Sequence, residues 1–177
     1  MRLFHVSEES DIEIFEPRLP ARKDLDPEVG LVWALDEKHL PNFLTPRDCP
    51  RVTYNAAETT LPADLRWFSS PSQRHCVVIE KGWFGKMCET TLYIYEFDPA
   101  DFELQDAVAG YYVAKTSQIP MAEHRVDDLF AALFERNVEL RVVDHLWDIC
   151  RKIQQTSLEW SMCRMKNAIP ENGKGER

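Results

Sequence analysis

Two runs of β-branched and aromatic residues constrain the fold more than any other feature of the chain. They are "HCVVIEKG" at 75–82 and "TTLYIYEF" at 90–97, and this composition predicts two strands. The intervening "KGWFGK" contains two glycines and predicts a hairpin-like loop. In the second run Tyr93, Tyr95 and Phe97 alternate, which is typical of side chains that share the core face of a sheet. The protein is therefore expected to be built around β-structure.

Weaker patterns add further strands and three helices. Additional strands are predicted at residues 2–6, 31–35, 51–55, 110–116 and 138–143. Asp36 can cap a helix over "EKHLPNFL", "VDDLFAALFER" predicts an amphipathic helix, and a long final helix is predicted from His145 to about Ala168. Together these elements predict an α+β fold: a bent or split, mostly antiparallel sheet with flanking helices and a long C-terminal helix.

The length and hydropathy pattern favour one compact domain. A chain of 177 residues can bury a single sizeable core, so we expect one domain over residues 1–169 and a disordered tail over 170–177. No apolar run approaches the ~18 residues that a membrane span requires. The first residues, "MRLFHVSEESD", do not resemble a secretory signal. A cytoplasmic protein without membrane contact is the resulting expectation.

Cysteine and histidine spacing does not favour a metal site. The five cysteines include no CxxC pair, and the histidines have no HxH or HxxxH spacing, which argues against zinc and against a disulfide framework. The net charge of −9 makes nucleic acid an unlikely main partner, because phosphate contacts supply most of that affinity. No strong basic cluster is found beyond Arg47 with Arg51 and Arg164 with Lys166.

The segment "TPRDCPR" at 45–51 is the most unusual loop of this acidic chain. Its two prolines fix φ and remove two amide donors, so the loop is expected to be stiff. Arg47 could bind a phosphate or carboxylate through its planar fork, or pair with Asp48 and merely close the turn. Cys49 is expected to be exposed, and arginines beside it could make it reactive.

Three other positions are candidates for chemistry. His5 follows Leu3 by two residues on the first predicted strand, so it shares a face with an apolar residue and can be either a core or a site residue. In "GYYVAKTSQIP", Tyr111 and Tyr112 point to opposite faces of a strand, and one of them can line a pocket. Ser117 and Gln118 follow at the end of that strand, where polar groups could meet a ligand.

Read in order, several segments resemble known families. The stretches "FHVSE", "VWALD", "PRDCPRV" and "YEFDP" resemble an uncharacterised bacterial family of about this length, roughly 170 residues. Over residues 2–120 the layout is also similar to small ADP-ribosyltransferase-like domains, such as the rifampin ADP-ribosyltransferases. That resemblance implies binding of NAD in a cleft between two small sheets.

The second resemblance also implies roles for individual residues. His5 would bind the NAD ribose, Trp33 or Tyr112 would stack on a ring, and Arg47 would hold the pyrophosphate. Ser117 and Gln118 match the position where the superfamily usually carries an acidic residue, and Gln118 would contact the acceptor. No catalytic glutamate is evident there, and a glutamine cannot act as a general base.

Three functions remain open at this point. The first is an NAD-binding ADP-ribosyltransferase-like protein that acts electrostatically on an unknown acceptor. The second is a non-enzymatic module on the same fold that binds a nucleotide or another small ligand, or a protein. The third is a homodimer formed through the C-terminal helix, with Trp147 and Trp160 in the interface.

Overall fold

The computed structural model describes residues 1–20 and 25–171. Residues 172–177, most of the predicted tail, lie outside the described residues. The chain contains two compact units, Met1–Leu44 with Thr91–Asp127 and Thr45–Thr90 with Asp128–Arg177. Each unit is built on its own sheet, so the α+β class predicted from the sequence is confirmed. The two are called the first and the second unit.

The first unit contains a six-stranded sheet in which every neighbouring pair is antiparallel. Its strands are β1 Leu3–Ser7, β2 Val32–Asp36, β5 Leu92–Phe97, β6 Glu103–Asp106, β7 Tyr111–Ala114 and β8 Ala122–Val126. Their spatial order is β6-β7-β2-β1-β5-β8. Apolar side chains of the inner strands, among them Leu3, Ala34 and Phe97, form one core cluster of this unit.

The second unit contains a four-stranded mixed sheet with three short α-helices. Its strands are β3 Arg51–Asn55, β4 His75–Glu80, β9 Val138–Val143 and β10 Glu159–Cys163, in the order β10-β3-β4-β9. Only β4 and β9 run parallel among the described pairs. The helices are α1 Phe84–Glu89, α2 Leu129–Glu135 and α3 Trp147–Ile153. Residues of α3 and β3 share a core cluster that includes Ile153, Cys150 and Tyr54.

The predicted long C-terminal helix is wrong. Helix α3 ends at Ile153, and the chain then returns as β10 alongside β3. The Asp64 carboxylate accepts hydrogen bonds from the backbone N–H of Ser157 at 2.8 Å and from the Ser157 hydroxyl at 2.6 Å. Side chains of Thr and Ser compete for backbone hydrogen bonds, and the Thr156 hydroxyl donates to the Ile153 carbonyl at 2.7 Å, at the last residue of the helix. The structure therefore gives no basis for a dimer through that helix.

Two smaller expectations also fail. The segment between β4 and β5 is not a hairpin loop, because these strands belong to different sheets and α1 lies between them. The helix after Asp36 is a short 3₁₀ helix, Leu40–Phe43. Just before it, Asp36 accepts the His39 N–H at 2.8 Å. The helix at 126–136 is confirmed as α2, and Asp128 caps it by accepting the Ala131 N–H at 2.9 Å.

Candidate functional site

His5 lies where the first sheet separates between β1 and β2. The registered pairs of these strands are Leu3 with Asp36 and Phe4 with Leu35. Beyond them, His5 Nδ1 makes a 2.9 Å hydrogen bond to the backbone carbonyl of Trp33. A carbonyl can only accept, so Nδ1 carries the proton and Nε2 of the neutral ring is an acceptor. The backbone of β2 thus fixes the tautomer of His5.

Aromatic rings surround His5 on one side. The Phe15 ring lies 4.9 Å from the imidazole, measured between centroids, and contacts Tyr95 and Phe97 edge-on at 5.1 and 5.0 Å. Tyr95 is the direct partner of His5 across β1 and β5. We call the surface of the first sheet that carries Leu3, His5 and Ser7 the His5 face. It combines an oriented imidazole with apolar rings.

Residues 8–18, called the arm, are tied to the sheet by Tyr95. Its hydroxyl donates to the Glu9 carbonyl at 2.8 Å and accepts from the Ile12 N–H at 3.2 Å. Burial is the main cause that raises the pKa of Tyr95 to about 12. The Asp11 N–H donates to the Glu123 carboxylate at 2.9 Å, which helps to hold Asp11 at φ 57°. The arm is therefore fixed at several points.

The structure places Ser117 and Gln118 beside the arm. The backbones of Gln118 and Phe15 exchange two hydrogen bonds, of 2.8 and 3.0 Å. The Gln118 side-chain N–H groups donate to the Thr116 carbonyl at 3.2 Å and hydroxyl at 2.9 Å. Ser117 donates to the carboxylate of Glu16. The side-chain amide of Gln118 thus bonds a residue of its own segment. Glu16 is an acidic residue bonded to Ser117 that the sequence patterns did not reveal.

Of the two predicted stacking residues, only Tyr112 shares the His5 face. Tyr112 pairs with Ala34 and packs on the cluster that contains Leu3. Strand alternation places the Trp33 side chain on the opposite surface, where its ring contacts Tyr111 at 5.4 Å. The contribution of Trp33 to His5 is its carbonyl rather than its indole.

Arg47 belongs to the second unit and is exposed. Its loop is a turn closed by the Cys49 N–H, which donates to the Pro46 carbonyl at 3.0 Å. The expectation that Cys49 is exposed is wrong, because its side chain is fully buried and burial raises its thiol pKa to about 12. The role of Arg47 in binding a phosphate stays a prediction.

The sequence patterns do not predict the pairing of buried His39 with half-buried Asp36. His39 Nδ1 lies 2.7 Å from an Asp36 carboxylate oxygen, and His39 is 3% exposed. Burial raises the pKa of Asp36, but hydrogen bonds from the side chain and backbone of His39 outweigh it, so the net pKa is lowered. Gly110 permits this arrangement, since it has φ +66° and a Cβ there would lie 2.1 Å from His39 Nδ1. The spacing of Asp36 and His39, three residues apart, is the sequence signal that could have indicated this pair.

Within residues 1–20 and 25–171, no group of three or more His, Cys, Asp or Glu side chains is arranged to hold a metal ion. No helix in the same part of the chain combines the length and apolar character needed to cross a bilayer.

Comparison with known proteins places the chain in a family. A family of unknown function, DUF6886, matches residues 4–168. The chain belongs to this family. The DUF6886 match covers His5 and the Arg47 loop, and it agrees with the predicted resemblance to an uncharacterised family. No curated protein and no solved structure matches the chain, so the likeness to ADP-ribosyltransferases stays a prediction.

Proposed function

We propose that the first unit binds NAD or a related nucleotide on the His5 face. The observation that carries this proposal is the fixed tautomer of His5, whose Nδ1 bonds the Trp33 carbonyl at 2.9 Å. In this tautomer Nε2 accepts a hydrogen bond from a ribose hydroxyl. The tautomer is set by backbone rather than by a mobile side chain, so the acceptor is preorganised.

The surroundings of His5 suit the rest of such a ligand. Tyr112 offers an aromatic side chain on the His5 face, which can stack on a base or on nicotinamide. Phe15 packs against the imidazole with a centroid distance of 4.9 Å. Ribose and planar rings are the chemistry that these groups recognise.

Transfer of ADP-ribose to an acceptor is the more specific part of the proposal. In that reaction the bond between nicotinamide and ribose breaks and nicotinamide leaves with the bonding electrons. An acceptor nucleophile bonds to the ribose carbon and releases its proton to water. Glu16 supports it, because its carboxylate is held by the Ser117 hydroxyl and can stabilise the positive charge that develops on the ribose.

The second candidate is a binding module without catalysis. It is favoured by Gln118, because its side-chain amide donates to Thr116 rather than to the substrate that would receive ADP-ribose. In this case the same face binds the nucleotide, and no bond is broken.

Thermal-shift titration with NAD, ADP-ribose and nicotinamide tests the proposal. His5→Asn keeps an N–H donor near the Nδ1 position and removes the Nε2 acceptor, while His124→Asn is the matched control on an exposed residue of β8. A ligand at about 100 times its Kd should stabilise wild type by about 2.7 kcal/mol. We expect this shift in wild type and His124→Asn and not in His5→Asn. No shift with any ligand, or an equal shift in all three proteins, rejects the NAD site.

Nicotinamide release separates the two candidates. The enzyme predicts release from NAD that falls in Glu16→Gln and persists in Glu13→Gln, a control on the same arm with an exposed glutamate. Binding without release by any of these proteins favours the non-catalytic module.

A further inference from the structure

Three exposed cations lie on two segments that are far apart in sequence and meet in the second unit. Arg51 of β3 pairs with Cys163 of β10, so the segments before β3 and after β10 meet at one end of the sheet. There the Asn167 side chain donates to the Asp48 carbonyl at 2.7 Å. Arg47 precedes Asp48 in the sequence, and Lys166 precedes Asn167. Arg164 begins the 3₁₀ turn that contains Lys166 and Asn167. We call Arg47, Arg164 and Lys166 the basic cluster.

Arg164 has a backbone conformation that an arginine adopts at a cost. Its φ is 56° and its ψ is 26°, in the left-handed region. Glycine or asparagine fits this region with less strain, yet the chain has a long cationic side chain there. Such strain is kept where the surrounding structure or a function requires it. Within residues 1–20 and 25–171, neither Arg164 nor Lys166 makes an ion pair.

The loop that carries Arg47 is rigid. Pro46 and Pro50 are buried, and the turn between them is closed by the Cys49 N–H bond to the Pro46 carbonyl. The guanidinium of buried Arg51 donates to the Cys49 carbonyl at 3.1 Å, and this bond stabilises the loop from its buried side. A cation on such a support loses little conformational entropy when it binds an anion.

The basic cluster and its neighbour Asp48 together have a positive formal charge in a strongly negative protein. The basic cluster contributes three positive charges and the exposed side chain of Asp48 one negative charge. The whole chain has a net charge of −9, which repels long polyanions at a distance. A compact anion is disfavoured less, because it interacts mainly with the nearest charges once salt screens the others.

We propose that the basic cluster is a binding site for a phosphate group of a small ligand, a phosphate monoester or a diphosphate. Arg47 and Arg164 bind phosphate oxygens through their planar forks, and Lys166 adds a point charge. The site is formed by residues of the second unit alone. It does not depend on the ligand proposed for the His5 face.

Calorimetric titration of the full chain with pyrophosphate tests this site. Three variants are compared with wild type: Arg164→Gly, Lys166→Gln and, as the control, Lys152→Gln, which removes an exposed cation of α3. We expect pyrophosphate to bind wild type and Lys152→Gln equally, and Arg164→Gly and Lys166→Gln about tenfold more weakly or worse. The melting temperature of Arg164→Gly should be equal to or above that of wild type, because the left-handed strain is relieved.

Several outcomes would overturn the proposal. One is unchanged affinity in both Arg164→Gly and Lys166→Gln, and another is a heat that sodium chloride of equal ionic strength reproduces. A lowered melting temperature of Arg164→Gly together with unchanged affinity in Lys166→Gln would assign Arg164 a structural role. Tighter binding of a single-stranded oligonucleotide than of pyrophosphate would identify a polymer as the partner. His5→Asn should bind pyrophosphate like wild type, which keeps this test separate from that of the His5 face.

Discussion

The two sheets differ in what their polar side chains do. In the second sheet, polar residues of β3 and β4 such as Thr53, Asn55 and Glu80 are buried, and Glu80 accepts the backbone N–H groups of Leu146 and Ile169. In the first sheet, His5 is only half-buried and presents an oriented ring. Buried polar groups must be satisfied by the protein itself, so those of the second sheet support the fold, and the first sheet is the better candidate for ligand chemistry.

The largest expected effect concerns Glu139 of β9. Its carboxylate, 7% exposed, accepts from Ser69 N–H at 2.8 Å and hydroxyl at 2.6 Å, and pairs with Arg141 at 2.5 Å. Glu139→Ala leaves these donors without an acceptor and should lower the free energy of unfolding by about 3–5 kcal/mol. Glu103→Ala, on the exposed edge strand β6, should change it by less than about 0.5 kcal/mol. Equal small effects in urea unfolding would break the contrast between the sheets.

Thiol chemistry tests the buried side of this comparison, the interior of the second unit. Burial raises the thiol pKa of both Cys49 and Cys76 to about 12, whereas Cys88 is exposed. At pH 8 such a shift lowers the thiolate fraction roughly a thousandfold relative to an ordinary thiol. A thiol reagent should therefore modify Cys88 first, and Cys88→Ser should remove the fast phase. Rapid labelling of Cys49 in the folded protein, located by mass spectrometry, would contradict the sealed interior.

A moderate effect is expected where the arm joins the first sheet. Tyr95→Phe removes the hydroxyl that bonds Glu9 and Ile12, and should cost about 1–2 kcal/mol. Hydrogen exchange at the Ile12 amide should accelerate, because that N–H loses its acceptor. Tyr93→Phe, on the same strand, is the control. If both variants behave alike, Tyr95 is not what fastens the arm.

The smallest expected effect is a pH dependence at Asp36. Its folded-state pKa is lowered, so its contribution to stability is present above its unfolded value, about 3.9, and is lost as pH falls through the folded value. Urea midpoints measured from pH 6 to pH 2 should fall more steeply in wild type than in Asp36→Asn. Asp101→Asn, at an exposed site, should follow wild type.

The sequence predicted the inner strands and the edge strand β9, and it missed the other three edge strands. Strands β4 and β5 have dense β-branched and aromatic composition, and both are found. The edge strands β6 and β8, "ELQD" and "AEHRV", were missed because they carry the charged residues that protect exposed sheet edges. The pattern over β10 predicts a helix, since Ser157 and Trp160 fit a helical face. The bond from Ser157 to Asp64, which precedes β10, joins positions far apart in sequence and is not visible in that pattern.

The site was predictable in its residue types and less so in its geometry. The polar residues at the end of β7 were found, but the pairing of Ser117 with Glu16 joins positions 101 residues apart, which no local pattern reveals. Strand alternation in β2 puts the Trp33 side chain on the other face of the sheet from His5, but this follows only when the register between β1 and β2 is known. The two basic pairs were visible in the sequence, and only the pairing of β3 with β10 shows that they meet.

The most direct test of the central claim is an NMR measurement of the His5 ring nitrogens with and without NAD. The bond to the Trp33 carbonyl predicts protonated Nδ1 and unprotonated Nε2 in the neutral ring, with a change at Nε2 when NAD binds. The proton on Nε2 instead, or nitrogen shifts unaffected by saturating NAD, would contradict the claim that the His5 face is a nucleotide-binding site.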